Sequence, residues 1–515
     1  MVTMNAITDP WIPCTKCGVP TSVSLQDIFK VSDHNLQLSA TPFKQIPIRN
    51  FLVAIATAAL RPSTNQEILG YLNNLQGTCD KILLYLDAHK DSFNLFDSKA
   101  PLFQVAFLDT NYPMKGKGFT RRETHQLVTR EGYTTVKIKS KVSTELEEGE
   151  ILLALLTSQV VGCNMKYGVS KPAGPGLKPS GQVQAPQAAA PFNISTNGGS
   201  TSTLNLSVRR GDLLETVILN MISEEDLLPI YSKGFGKPFW EYPVWDDFQK
   251  MLEVVSELTE TFLGRLVPIT KFLWVDPENP KEMIYSAAEG LDYQAFLSVL
   301  KEGSNHDRTY FFPPASATGK ATLGAYKEDS YLWQEQASLD VERDTPLVLR
   351  KFKGNDMPVS CVASALLVSA SMGLITVEQE VSSSVSWPEG ALSAYLSSGI
   401  AFNEFSSTAR RIAEGEKGSK GWNLSWALSR YCAGMNLNPK GSLFEALKKK
   451  LRRAYWERMD KEFTWFLEHS IDPDVEQKER LKQWQDICIS IAKEQMKGLM
   501  DNNPRNNKEI IKACL

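Results

Sequence analysis

Cys14 and Cys17 stand at the spacing with which two thiolates share a metal ion. A closed tetrahedral shell needs two further ligands, and no second Cys-x-x-Cys or His-x3-His follows at finger or ribbon spacing. Two free thiols in a turn is therefore the stronger reading of the pair. Five histidines are present, at positions 34, 89, 125, 306 and 469, and none forms His-x-His or His-x3-His. The chain has no Gly-x4-Gly-Lys-Ser/Thr loop to cradle phosphates and no Gly-x-Ser-x-Gly elbow to present a nucleophile. Gly234-x-Gly236-Lys237 lacks the remaining glycine of a dinucleotide loop and reads as a turn. Asp246-Asp247 and Glu224-Glu225-Asp226 fall near expected helix starts, where carboxylates favour the helix dipole. The balance favours a binding protein that is not an enzyme and carries no cofactor or metal. Two rivals stand beside it: a metal-dependent hydrolase or nucleotidyl-transfer enzyme with a spatially assembled carboxylate site, and a scaffold that never touches nucleic acid.

Two segments carry the chemistry of contact. Between Ala185 and Arg210 the chain reads APQAAAPFNISTNGGSTSTLNLSVRR, uncharged until Arg209. Its small residues let main-chain N–H groups and short hydroxyls approach a ligand, and the Arg209-Arg210 pair offers cations to an anion. A flexible surface loop is the alternative reading. Between Lys115 and Lys141 the chain turns basic, and Thr134–Val142 alternates as a strand would, placing Lys137, Lys139 and Lys141 on one face. That face needs an anion or solvent to neutralise it, and a solvated edge strand is the plain reading.

The elements that must hold these segments follow from patterning. Ser24 is placed to cap a short helix over Leu25–Lys30. Helices are expected over Ile48–Leu60, Asn65–Asn74, Thr78–Ala88, Glu148–Val161, Gly211–Met221 and about Asp246–Leu263. Cys361–Ala370 is apolar. Beyond Pro388 four amphipathic helices are expected, at about Ala391–Glu416, Trp422–Met435, Ser442–Glu468 and Asp474–Met500. In the third, Leu443, Leu447, Leu451, Tyr455, Met459 and Phe463 recur every four residues, with Lys448, Lys449, Arg452 and Arg453 off the stripe. The fold class expected is α+β: a mixed α/β body over residues 1–388 and a C-terminal four-helix bundle over 389–515. With 515 residues the chain exceeds one ordinary core. Its net charge of −3 argues against coating nucleic acid by bulk charge and leaves room for local basic stripes. No apolar run is long enough to span a bilayer, and the first residues lack the order of a secretory signal, so the expected location is cytoplasmic, away from membranes.

Several blocks then fall in a recognisable order. Asn5–Cys14 (NAITDPWIPC) precedes Val23-Ser24-Leu25, and Phe93–Phe96 (FNLF) precedes Ala100–Gln104 (APLFQ). Gly198–Thr201 (GGST) precedes Val208–Leu213 (VRRGDL) and Val217–Asn220 (VILN), and Gly264-Arg265-Leu266 precedes Trp274. This ordered set resembles the CasA family, the large subunit of the type I-E CRISPR surveillance complex, Cascade. The resemblance implies a non-catalytic subunit that reads a protospacer-adjacent motif in target double-stranded DNA, helps open the duplex and recruits a helicase-nuclease. Its partners would be other Cascade subunits and the 5′ handle of the guide RNA. By the same resemblance the DNA motif loop comprises Ala188, Ala189, Ala190, Asn193, Ser195, Asn197, Gly198 and Gly199. Where relatives can carry consecutive glycines, this chain has three alanines, whose Cβ atoms narrow the approach to the groove. The strand-separation wedge falls on Gly373, Leu374, Ile375 and Thr376, an apolar tip suited to unstacking bases. Lys137, Lys139 and Lys141 fall to the guide handle, and Arg209, Arg210, Lys351 and Lys353 to phosphates.

Overall fold

The computed structural model of the chain describes residues 4–30, 35–110, 120–124, 127, 136–138, 146–160, 162–166, 182–184, 193–195, 205–286, 290–291, 293, 310, 345–371, 374–415, 422–438, 441–470 and 476–501. Two compact units emerge. The first comprises residues 1–326, 346–351 and 362–382, the second 327–345, 352–361 and 383–515.

In the first unit, Ile12–Lys16 (β1) turns into Val19–Val23 (β2) through Cys17 and Gly18, at φ of 51° and 82°. Two successive left-handed residues make a hairpin turn whose twist matches its strands. Ile12 pairs with Val23 and Lys16 with Val19, while Leu36–Leu38 (β3) covers the other edge of β1. Ser24 caps Leu25–Ile28 (α1) in a reciprocal box with Asp27. The central helix is Pro42–Leu60 (α2), buried without a break from Ile46 to Ala58. A helix apolar on all sides must be enclosed on all sides. It begins six residues before the expected Ile48: Pro42 sits at the first helical position, where no N–H is needed, and Pro47 is carried inside. Phe51 anchors the core, its ring centroid 5.0 Å from Phe103, 5.4 Å from Trp240, 6.0 Å from Trp11 and 6.1 Å from Phe93.

Asn65–Asn73 (α3) is capped by Thr64, and Leu75–Ala88 (α4) by Asn74, which starts α4 three residues earlier than expected. There follow Phe107–Thr110 (α5), Thr120–Glu123 (β4), Val136–Ile138 (β5) and Glu148–Val160 (α6). Gly162–Lys166 (β6), Gln182–Gln184 (β7) and Asn193–Ser195 (β8) form one sheet with β6 in the middle. Asn205–Arg209 (β9) leads into Leu213–Leu219 (α7), whose N-cap is Asp212, and then Glu224–Leu227 (α8). Phe248–Glu260 (α9) and Phe262–Leu266 (α10) divide the single expected helix at Thr261. Gly236, at φ 63°, lies so close to Thr261 that any Cβ would overlap that side chain, so the turn read at Gly234-x-Gly236 requires glycine. Phe272–Val275 (β10) and Glu282–Ser286 (β11) pair antiparallel, with β4 on the outer side of β11. The one-turn helix Leu347–Arg350 (α11) precedes Val359–Ser371 (β12) and Leu374–Trp387 (β13). These last two form a sheet of order β5-β13-β12-β9.

The second unit contains Ala391–Glu414 (α12), Leu424–Gly434 (α13), Ser442–Ser470 (α14) and Gln477–Asp501 (α15), each packed on the other three. Trp484 donates its indole N–H to the Phe405 carbonyl at 2.9 Å, and Tyr455 its hydroxyl to the Ala409 carbonyl at 3.1 Å. Both aromatics thus reach the interior with their polar atoms paired. Leu451, Tyr455, Met459 and Phe463 are buried as expected, whereas Leu443 is 54% exposed. A four-residue step overshoots the helical turn by about 40°, so five steps carry the stripe about 200° around the helix. Phe444 and Trp456 are buried as the core-facing stripe precesses.

Candidate nucleic-acid interface

Members of three of the four groups of expected contact residues lie on strands of one sheet. Leu374, Ile375 and Thr376 open β13, and Lys137 lies on β5, the strand hydrogen-bonded beside it. The pairing is parallel, with Ile375 opposite Val136 and Thr376 opposite Lys137. Arg209 ends β9, at the opposite edge of the same sheet. Asn193 and Ser195 lie on β8 of the separate β7-β6-β8 sheet, paired with Gly162 and Asn164. Ala188, Ala189, Ala190, Asn197, Gly198, Gly199, Gly373, Lys139 and Lys141 lie outside the described residues.

β9 is held by side chains that sequence reading passed over. Among the described residues its outer edge meets no further strand. Instead, the Leu206 N–H donates to the Tyr310 carbonyl at 2.8 Å, and the Asn220 amide pairs with Val208 in both directions, accepting from its N–H at 3.1 Å and donating to its carbonyl at 2.6 Å. From α2, the buried Arg49 guanidinium donates to the Leu206 carbonyl at 3.1 Å and the Asn205 Oδ1 at 3.0 Å, and lies 4.8 Å from the Tyr310 ring. Burial lowers the Arg49 pKa to about 10, the Tyr310 hydroxyl opposing that shift and nearby Arg209 adding to it. It remains a cation at neutral pH. The signal for it was present: a single arginine within the strongly apolar run from Ile48 to Leu60 has to find buried partners.

The expected phosphate contacts divide. Arg209 is exposed and donates to the Gln45 Oε1 at 2.7 Å. Arg210 is half-buried, 3.9 Å from Glu215. Lys353 is exposed, in the second unit. Lys351 corrects the expectation made of it: it is only 3% exposed, and its ammonium donates to the carbonyls of Leu219 at 2.8 Å and Val348 at 3.0 Å. It holds the last carbonyl of α7 and a carbonyl of α11, and is turned away from any phosphate. Burial brings its pKa down to about 7, with Asp226 opposing the shift. On α14 the basic flank is partly neutralised, Arg452 pairing with Glu414 at 2.7 Å and Arg453 with Glu457 at 2.9 Å.

Cys14 faces inward beside Ile12, its thiol pushed up to about 12 by burial, whereas Cys17 sits exposed in the hairpin turn. The strand pleat and the turn thus send the two thiols into different surroundings. Among the described residues no three His, Cys, Asp or Glu side chains gather as a metal site would require.

Several residues that carried the family resemblance turn out to be stitches between elements. Asn5 donates to the Lys90 carbonyl at 2.9 Å and accepts from the Ile7 N–H at 2.9 Å. Gln104 donates to the Leu95 carbonyl and accepts from the Val275 N–H, both at 2.7 Å. Arg265 donates to the carbonyls of Thr259 and Tyr293 at 2.8 and 2.9 Å.

The family model described as CRISPR-associated protein Cse1 matches residues 5–494. The chain belongs to the Cse1 (CasA) family. A CRISPR-associated protein CasA/Cse1 of Thermus thermophilus is 24% identical over 242 residues, 46% of this chain and 42% of that protein. The alignment therefore spans less than half of that curated relative. The crystal structure of Thermobifida fusca Cse1 has a TM-score of 0.69 at 14% identity, covering 99% of this chain and 96% of the other. A chain of a CRISPR RNA-guided surveillance complex has a TM-score of 0.60 at 13% identity, covering 99% and 98%. At these identities the two structures establish the fold alone.

Proposed function

We propose that the chain is the DNA-inspecting subunit of an RNA-guided CRISPR surveillance complex of the type I-E Cascade kind. In this reading it is non-catalytic, reads the short motif beside the target in duplex DNA, starts strand separation, and recruits the helicase-nuclease. Its partners are the other complex subunits, the 5′ handle of the guide RNA and target DNA, all in the cytoplasm. Such a division leaves sequence fidelity to base pairing and the adjacent motif to protein.

The observation that carries this reading is the β5-β13-β12-β9 sheet. One sheet holds the strand of the proposed wedge, the Lys137 strand and the Arg209 strand, in a chain of the Cse1 family. A duplex opened at the start of β13 would have Lys137 on the strand beside it. An apolar wedge of Leu374 and Ile375 would replace base stacking by contact with side chains, at a cost of a few kcal/mol per step recovered from the phosphate contacts. The test is duplex opening by the assembled complex, followed with a fluorescent base placed next to the motif. Leu374→Asp with Ile375→Asp should weaken opening while leaving assembly intact. Equal opening by wild type and double variant removes the wedge.

A further inference from the structure

The first turn of α2 ties together the two strands that flank the proposed DNA contacts. Thr41 occupies the N-cap without a side-chain hydrogen bond to the helix. A strand supplies a cap instead: Glu380 of β13 accepts from the Phe43 N–H at 2.7 Å. A carboxylate at this end of a long helix also favours the helix dipole. Two residues on, Gln45 accepts from Arg209 of β9 and donates to the carbonyls of Leu38 and Ala40. One turn further, Arg49 holds Asn205 and Leu206 at the start of β9.

Glu380 lies four residues beyond Thr376, on the strand that opens with the wedge. Asn205 lies six residues beyond Gly199, on the strand into which the motif loop runs. The intervening strand β12 separates β13 from β9 within the sheet, so their side-chain connection runs across the end of α2. Because α2 is buried along thirteen consecutive residues, from 46 to 58, its first turn is a fixed point and not a compliant one.

We infer that the N-terminal turn of α2 couples motif reading to strand opening, with Glu380 and Gln45 as positioning residues. This rests on the function proposed above. Arg209–Gln45 and Phe43–Glu380 hold the loop's exit strand and the wedge strand in one mutual placement, with the helix end as the common anchor. Neither Glu380 nor Gln45 needs to touch DNA.

The experiment uses the assembled complex with wild-type chain, Glu380→Ala, Glu380→Gln or Gln45→Ala. Two quantities are read: the affinity ratio between motif-bearing and motif-scrambled duplex, and the rate of fluorescent-base opening on the motif duplex. Glu380→Ala should keep the affinity ratio and lose about tenfold in opening, the scale of one charge-assisted hydrogen bond. Glu380→Gln should recover most of that loss, because its amide oxygen can accept from the same N–H. Gln45→Ala should show the same split as Glu380→Ala, and carries the test if Glu380→Ala fails to assemble. Opening at the wild-type rate in both alanine variants overturns the coupling, as does a parallel loss of affinity ratio and opening. A wild-type complex without motif preference sinks the functional reading instead, and the coupling with it.

Discussion

Lys351 holds the end of α7 with an ammonium that reaches almost no solvent, and its charge state governs how firmly it does so. Its pKa is about 7 in the folded chain against an ordinary 10.5. Between those values the unfolded chain carries the additional proton, so this residue makes stability rise with pH across that window. The slope is at most about 1.4 kcal/mol per pH unit and fades below pH 7, where both states are protonated. Urea unfolding at pH 7, 8 and 9 should show a steeper rise for wild type than for Lys351→Met. Equal slopes in the two proteins contradict the buried ammonium. In the sequence this residue looked like Lys353, two positions on. Two-residue spacing shares a face only on a strand; in the helical turn that the chain adopts, it turns side chains to nearly opposite sides. The same limit hid Asn220, whose role in edging β9 depends on a partner twelve residues away. Ser24 was legible because its cap involves only its immediate neighbours.

At the scale of elements, periodicity located what local sequence determines. The helices over 65–73, 148–160, 391–414 and 424–434 lie within a few residues of their expected bounds. Boundaries moved at α2, which starts at Pro42 and carries Pro47 inside, and where a turn split a continuous pattern, at Thr261. Sheet order was not legible. Nothing in Thr134–Val142 or Leu374–Thr376 announces that the two pair in parallel across more than two hundred residues, because strand pairing is set by the whole fold. That pairing bears on the guide-handle proposal. Lys137 stands in register with Thr376, so cations proposed for the RNA handle border the proposed wedge. Replacing Lys137, Lys139 and Lys141 together by Ala should reduce co-purification of the chain with the RNA–protein complex at low salt, and the difference from wild type should narrow as salt is raised, because the variant has fewer phosphate contacts to screen. Unchanged co-purification at every salt concentration excludes these lysines from the handle contact.

For the molecule as a whole, the blocks that resembled the CasA family are spread along the chain, and the family model accordingly matches from residue 5 to 494. Asn5, Gln104, Asn220 and Arg265 explain why such blocks identify a fold: each joins backbone groups of segments that lie apart in the sequence. Residues that frame a sheet are thus legible as a family signature, whereas residues that touch a ligand are read only through the frame. The net charge of −3 sets a further expectation. Selectivity for DNA should come from a local contact added to a modest phosphate attraction, and not from bulk charge. The most direct measurement is a titration of the assembled complex with motif-bearing and motif-scrambled duplexes over a range of salt. The motif duplex should bind tighter by at least about tenfold, with both affinities falling along near-parallel lines as salt rises. Equal affinity for the two duplexes at every salt concentration would contradict the proposed function.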